Sequence, residues 1–272
     1  MRLSVSHRTI HSYTPEADRA ALRLKLFPQR HAGQAVLDWR VSVNGCEVRP
    51  LVEDAFGNAV GLWQGFTPEA EIAVLAEGMV ETTDTAGVVR DLGVRPPEGV
   101  FLRATPLTQA GEAVVALAEA LGEADPLARL HALSGEVAEA VAHRSTATDP
   151  GLTAEQALER GAGSCKDLAH VFIAAARHLG LPARHVVGYV LSEDDEEPVR
   201  GICAWAEAVV PGLGWVGFDL VAGLCPTERY VRLGCGLDAR DAAPIHANVM
   251  GMPEVTREAE VRIAQAVQSQ EQ

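Results

Sequence analysis

The sequence predicts an α+β protein, from the order in which two hydrophobic periods follow each other. Period-two alternation marks strands in the first 90 residues, helical spacing dominates from 107 to 179, and strand-like runs return between 184 and 219. With 272 residues, 47% hydrophobic and 22% charged, the chain suits one large domain or two small ones with a sizeable core. That composition argues against disorder, collagen and coiled coil.

Residues 1–90 read as an N-terminal antiparallel β domain. Leu22, Leu24 and Leu26 alternate with Arg23 and Lys25, and Leu37, Trp39, Val41 and Val43 alternate with Asp38, Arg40 and Ser42. Alternation of this kind turns one face to a core and the other to water. Asp54 to Asn58 reads as a turn between strands, and Ile72, Val74 and Ala76 mark a further strand. No cluster of chemically useful residues stands out here, so a structural or docking module is expected. Pro96, Pro97 and Pro106 make 91–106 a linker, and 107–272 forms the second unit.

In that unit Thr108 is placed to cap a helix running to Leu121, with Gly122 ending it. Asp125-Pro126 opens a helix to about His143, and Thr153 to Gln156 is a capping-box pattern. Gly161-Ala162-Gly163-Ser164 leads into Cys165 and a helix to Leu179, with Ala169, Phe172, Ile173 and Ala176 on its apolar stripe. Gly180 and Pro182 stop it. Strand-like runs follow at 184–191, 204–210 and 214–219, with a hairpin turn at 211–214, and the tail from Val255 reads as a strand.

Twenty-three basic against 37 acidic residues give a net charge of −14, which disfavours nucleic acid and anionic membrane surfaces as partners. No stretch approaches ~18 uninterrupted apolar residues, and the first residues lack the apolar core of a signal peptide. Five cysteines without regular spacing are neither a disulfide framework nor a CxxC zinc site. A reducing cytoplasm is the expected setting.

Cys165 is the sharpest chemical signal, because a glycine-rich turn delivers it to a helix start. Unpaired N–H groups there favour a thiolate and could hold an oxyanion. A small buried apolar cysteine is the alternative. The wider context resembles the transglutaminase-like superfamily, in particular its bacterial cysteine-protease branch. The resemblance rests on Cys165-x-Asp167, Leu179-Gly-Leu-Pro-Ala-Arg184, Gly188-Tyr189, Ala204-Trp205-x-Glu207 and Gly214-Trp-Val-Gly-Phe-Asp219. Leu37-x-Trp39 and Asp54-x-Phe56-Gly57-Asn58 resemble that branch's N-terminal β domain, so the likeness covers nearly the whole chain.

The resemblance implies a papain-like core and a Cys-His-Asp triad acting on peptide or isopeptide amides, by hydrolysis or by transfer to an amine. It puts Cys165 on the nucleophile and Asp219 on the carboxylate that orients the histidine. Where the family pattern has that histidine, immediately before Ala-Trp, this chain has Cys203. A thiol neither becomes cationic nor delivers a proton as imidazolium does, so activity is expected to be lost or altered. His170 is turned away from Cys165 on the same helix, His178 and His185 lie far along the chain, and His246 falls on a C-terminal loop. Lys166 and Asp167 are expected to flank the site without joining it. Trp205 and Trp215 read as packing residues. Glu207 shares Cys203's strand parity and reads either as pointing to the cleft or as a solvated edge charge. The acidic run Glu193 to Glu197 reads as a solvated loop.

Three classes of function remain open at this point: a weakened cysteine hydrolase, a pseudoenzyme binding a peptide or protein, and a Cys165–Cys203 redox or metal site. No organic cofactor is implied, and no phosphate-binding glycine loop is present.

Overall fold

The computed structural model describes residues 1–93, 96–122, 125–144, 151–192, 202–251 and 253–266. The chain begins with β1 (Arg2–Ala17), β2 (Arg19–Leu24), β3 (Gln34–Val43), β4 (Cys46–Glu47), β5 (Val52–Glu53), β6 (Ala59–Gly65), β7 (Glu69–Thr82) and β8 (Val88–Val89). A 3-10 turn (Glu98–Leu102) and the helices α1 (Glu112–Ala120) and α2 (Pro126–Ala140) follow. Next come β9 (Ala142–His143), α3 (Ala154–Arg160), β10 (Ala162–Gly163) and α4 (Cys165–His178). The last strands are β11 (Ala183–Val190), β12 (Cys203–Val210), β13 (Gly214–Phe218), β14 (Tyr230–Gly236), β15 (Ile245–Met250) and β16 (Glu254–Gln265). The architecture is mixed α+β.

Three main sheets result. Their orders are β16-β1-β7-β3-β4, β15-β2-β6-β5 and β14-β11-β12-β13-β8. Strands from both ends of the chain meet in them. β15 and β16 join the sheets of the N-terminal region, and β8 closes the edge of the sheet that supports α4. The first two sheets bury Leu3, Val5, Leu22, Leu24, Val41, Val43, Ile72 and Val74 in one core, which also takes Tyr189, Val231 and Leu233 from the third sheet. A second core packs the four helices on the other part of that third sheet, through Val114, Leu130, Leu133, Phe172, Ala206, Ala208 and Phe218.

Several sequence expectations need correction here. Leu37 does not share the buried stripe of Val41 and Val43 but is 48% exposed. The pairing of β3 with β7 shifts register between Val36 and Asp38, so Leu37 is the extra residue of a β-bulge and alternation restarts after it. Lys25 does not face water: it is buried, with its ammonium 2.6 Å from the Asp54 carboxylate. Thr108 caps no helix. α1 starts at Glu112 with Gly111 as its cap, and Thr108 Oγ1 instead accepts from Arg177 at 2.7 Å. Arg177 sits on α4 and also donates to the carbonyls of Phe101, Ala183 and Leu237, so one buried guanidinium gathers four segments. The 91–106 segment contributes Phe101 as a fully buried side chain. α2 ends at Ala140, and His143 belongs to β9. Asp125 and Thr153 act as N-caps, as their sequences predict.

Candidate active site

α4 starts at Cys165 because the preceding turn is built to start a helix. Ser164 is its N-cap, and the N–H and Oγ of Ser164 donate to Asp167 Oδ2 at 2.8 and 2.7 Å. Asp167 Oδ1 accepts from the Leu152 N–H at 2.8 Å, which ties the 151–153 segment to the same carboxylate. A Cβ on Gly163 would meet Asp167 Cβ at 2.8 Å, so the close approach of turn and helix needs glycine there. Asp167 is thus the residue that shapes the turn presenting Cys165, a larger role than flanking it.

The Cys165 sulfur is partly buried, and the backbone N–H groups of Ala204 and Lys166 favour its charged form. The Lys166 ammonium also favours its charged form, and the Asp219 carboxylate disfavours it. Burial outweighs the donors, and the thiol is pushed up from its ordinary value. The N–H groups at the helix start thus favour the thiolate, as expected, and burial opposes them. The role of Lys166 is corrected, since its N–H and charge both act on the sulfur.

Cys203 opens β12 and pairs with Gly188 of β11. Its successor Ala204 supplies one of the N–H groups at the Cys165 sulfur, so Cys165 and the start of β12 are brought together. Ala206 pairs with Phe218 across β12 and β13. Continuing that register by one residue puts Asp219 opposite Trp205, on the sheet face that carries Cys203.

Asp219 is 5% exposed and closes the turn after β13: Oδ1 accepts from the N–H groups of Val221 and Ala222 at 2.8 and 3.1 Å. Its other oxygen accepts from the Tyr230 hydroxyl at 2.8 Å. A carboxylate has about four acceptor positions, so these three bonds leave room for one more donor. Tyr230 is held in turn by Trp205, ring edge to ring face at 5.6 Å between centroids. Tyr230 was not apparent as a site residue in the sequence, since it looks like any aromatic opening a strand. An open groove of about 570 Å³ lies against this assembly, and both Tyr230 and Ala222 line it. Leu191, Leu224 and Arg229 form other parts of its wall.

Ala204, Lys166 and Asp219 are the main groups acting on the Cys165 sulfur, and the histidine nearest to it along the sheet register is His143 of β9, paired with Gly163 two residues before Cys165. His170 is buried and packed, with Nδ1 3.3 Å from the Leu152 carbonyl and Nε2 accepting from the Ala239 N–H at 3.1 Å. His185 lies under α4, its ring 5.3 Å from that of His170, and burial holds it neutral. His178 faces Glu119 at 3.5 Å. His246 is not on a loop: it lies in β15, exposed, paired with Arg23 of β2.

Glu207 is neither a cleft residue nor a solvated edge charge. It is fully buried, accepting from Arg184 Nε at 2.6 Å and from Arg232 Nε at 2.9 Å, and the two guanidinium groups hold its pKa down to about 2. Arg184 also lies 3.8 Å over the ring of Trp215. The acidic run 193–197 falls outside the described residues. None of the five cysteines is in a disulfide, and no group of three metal-ligating side chains occurs among the described residues. Among those residues, too, no helix is long and apolar enough to cross a membrane.

Comparison with known proteins agrees with this geometry. An uncharacterised protein of Mycobacterium leprae is 26% identical over 263 residues, covering 90% of this chain and 91% of its own. An uncharacterised Mycobacterium tuberculosis protein is 23% identical over 270 residues, covering 90% of this chain and 86% of its own. A solved structure described as a candidate cysteine protease from Cytophaga hutchinsonii shares the fold. Its TM-score is 0.75 at 20% identity, over 97% of this chain and 90% of that one. Residues 3–81 match the bacterial transglutaminase-like N-terminal region, and residues 115–220 match the transglutaminase-like superfamily core. The chain belongs to the transglutaminase-like superfamily, with its core placed behind a bacterial transglutaminase-like N-terminal region.

Proposed function

We propose that the chain binds amide-bearing peptides or isopeptides at Cys165 and turns them over slowly, as a degenerate relative of transglutaminase-like cysteine proteases. The observation that carries this reading is the surroundings of the Cys165 sulfur, where two backbone N–H groups, an ammonium and a carboxylate act on it while residue 203, at the start of the neighbouring strand, offers a thiol. Acyl transfer needs a thiolate to attack the amide carbonyl and an acid to protonate the departing amine. The backbone donors and Lys166 favour the thiolate, but the thiol of Cys203 does not take the proton and hand it to the amine as an imidazole does. Asp219 retains one acceptor position, the place an imidazole N–H at residue 203 would use. Hydrolysis is preferred over amine transfer by the description of the fold neighbour as a candidate cysteine protease. The 570 Å³ groove beside Asp219 gives an extended chain a place to lie.

The test is hydrolysis of casein and fluorogenic peptides by wild type and Cys203→His. A general base contributes about 10²–10⁴-fold, so C203H should gain at least about a hundredfold, and Cys165→Ala in that background should abolish the gain. A C203H protein with an unchanged fold and no gain contradicts the reading.

A second reading rests on the influence of the Ala204 N–H, next to Cys203, on the Cys165 sulfur. That closeness supports a disulfide between the two cysteines, formed when hydrogen peroxide takes two electrons and two protons from the thiols and becomes water. Alkylation of Cys165 that requires reductant after peroxide treatment would favour it. Five cysteines without a disulfide support a reducing cytoplasm as the working compartment.

A further inference from the structure

The cluster around Glu207 sets two guanidinium groups, Arg184 and Arg232, against one carboxylate, all three fully or almost fully buried. Excess positive charge inside a protein is costly unless something opposes it. The π faces of Trp215 and Phe101 take part of the charge of Arg184, at 3.8 and 5.6 Å. Arg232 has no such cover. Its three nitrogens each donate to Gln29 or Glu207, and the Cys235 sulfur lies beside it. A guanidinium has five N–H groups, more than the bonds to Gln29 and Glu207 use, and Arg232 lines a cavity of about 30 Å³.

The rest of that cavity offers donors as well. His31 lines it, and its Nδ1 accepts from the Gly33 N–H at 3.1 Å, which leaves the ring proton on Nε2 as a donor. Burial and the nearby arginines hold this ring neutral, with its pKa at about 4, so it donates without adding charge. The hydroxyl-bearing Thr83 and Thr85 complete that wall. Glu207 also lines the cavity, but Arg184 and Arg232 cover both its oxygens. About 10–15 Å³ accommodates one water, so the space takes two waters, one halide ion or one carboxylate group. Tyr230 and Thr227 line both this cavity and the open groove, which puts any occupant one side chain from the bond between Tyr230 and Asp219.

We propose that this cavity between Arg232 and His31 binds a small monovalent anion, either a halide or the carboxylate of a bound chain. The site is independent of any turnover at Cys165, and its test does not read catalysis. Chloride-35 NMR line width is titrated with the full-length chain at constant ionic strength. Wild type should broaden the line saturably. His31→Phe, which fills the space and removes the Nε2 donor, should lower the affinity about tenfold or more. Thr85→Val, a milder change, serves if H31F fails to keep its circular dichroism spectrum, and should also weaken binding. Displacement of chloride by acetate supports a carboxylate occupant, and broadening that acetate leaves intact supports a halide. No saturable broadening by wild type, or equal broadening by wild type and a folded variant, overturns the proposal.

Discussion

Two ends of one strand face live under opposite conditions. Cys203 and Glu207 lie four residues apart on β12 and point to the same side of the sheet. At the Glu207 end, the carboxylate meets two guanidinium groups within hydrogen-bond distance, 2.6 and 2.9 Å away. At the Cys203 end, the neighbouring Cys165 is partly buried, acted on by a carboxylate and an ammonium, and burial pushes its thiol up. The difference teaches where the scaffold's stability and its chemistry reside. Ion pairs at residue 207 lock β11, β12 and β14 together, so the fold there does not depend on which side chain stands at residue 203.

Acid is the coarsest way to separate regions held by charge from regions held by neutral polar groups. Glu207 keeps its charge until about pH 2, so its contribution is complete above the ordinary carboxylate range and is lost only as pH falls towards 2. His7 and His11 behave differently. Both are buried on β1, with pKa values lowered by burial from 6.5 to about 4, so the folded state binds fewer protons than the unfolded one between those values. Their stabilisation is full above pH 6.5 and falls as pH drops towards 4, by about 3 kcal/mol for each at ~1.4 kcal/mol per pKa unit. Urea denaturation at pH 7 and pH 4.5 should therefore differ by at least about 5 kcal/mol, since His31 and His185, lowered by burial in the same way, add to the two on β1, and His7→Gln should shrink the difference. An unchanged midpoint would break the contrast.

Direct substitution at the two ends is the next test. Glu207→Gln leaves two buried cations opposed by a neutral amide and should cost about 3–5 kcal/mol. Cys203→Ser, at a partly buried position, should cost under about 1 kcal/mol. Equal losses would show that the ends are not distinct. A smaller effect is expected at the joint between them. Tyr230→Phe removes one hydrogen bond to the Asp219 carboxylate and should cost about 2 kcal/mol. A loss under ~0.5 kcal/mol would mean that the hydroxyl does not hold Asp219.

The local features of this architecture were legible in the residues. The glycine turn, Ser164 and the apolar stripe from Ala169 to Ala176 announce α4, and short apolar runs bounded by turn residues announce β11 to β13. Capping at Asp125 and Thr153 is equally local, since each side chain reaches only two or three residues onward. What stayed hidden depends on long-range pairing. Arg184 and Arg232 lie 23 and 25 residues from Glu207, and strand parity tells which side Glu207 faces but not which charges wait there. Thr108 has the chemistry of a helix cap and is instead an acceptor for Arg177, 69 residues on. A bulge at Leu37 is invisible to a period-two pattern that continues on either side of it. At the candidate site, Cys165 and Asp219 stood out by motif and Cys203 by departure from it, while Tyr230 carried no signal beyond being aromatic.

The central claim is that Cys165 sits in a built site that lacks the base to ionise it. The most direct measurement is the pH dependence of Cys165 alkylation by iodoacetamide, followed by peptide mass spectrometry, in wild type and in Cys203→His. Wild type should show a single inflection above the ordinary thiol value of about 8.5, because burial pushes this thiol up. The C203H profile should gain a reactive plateau at least one pH unit lower, as imidazolium pairs with the thiolate. A wild-type plateau already present near pH 6–7 would contradict the account.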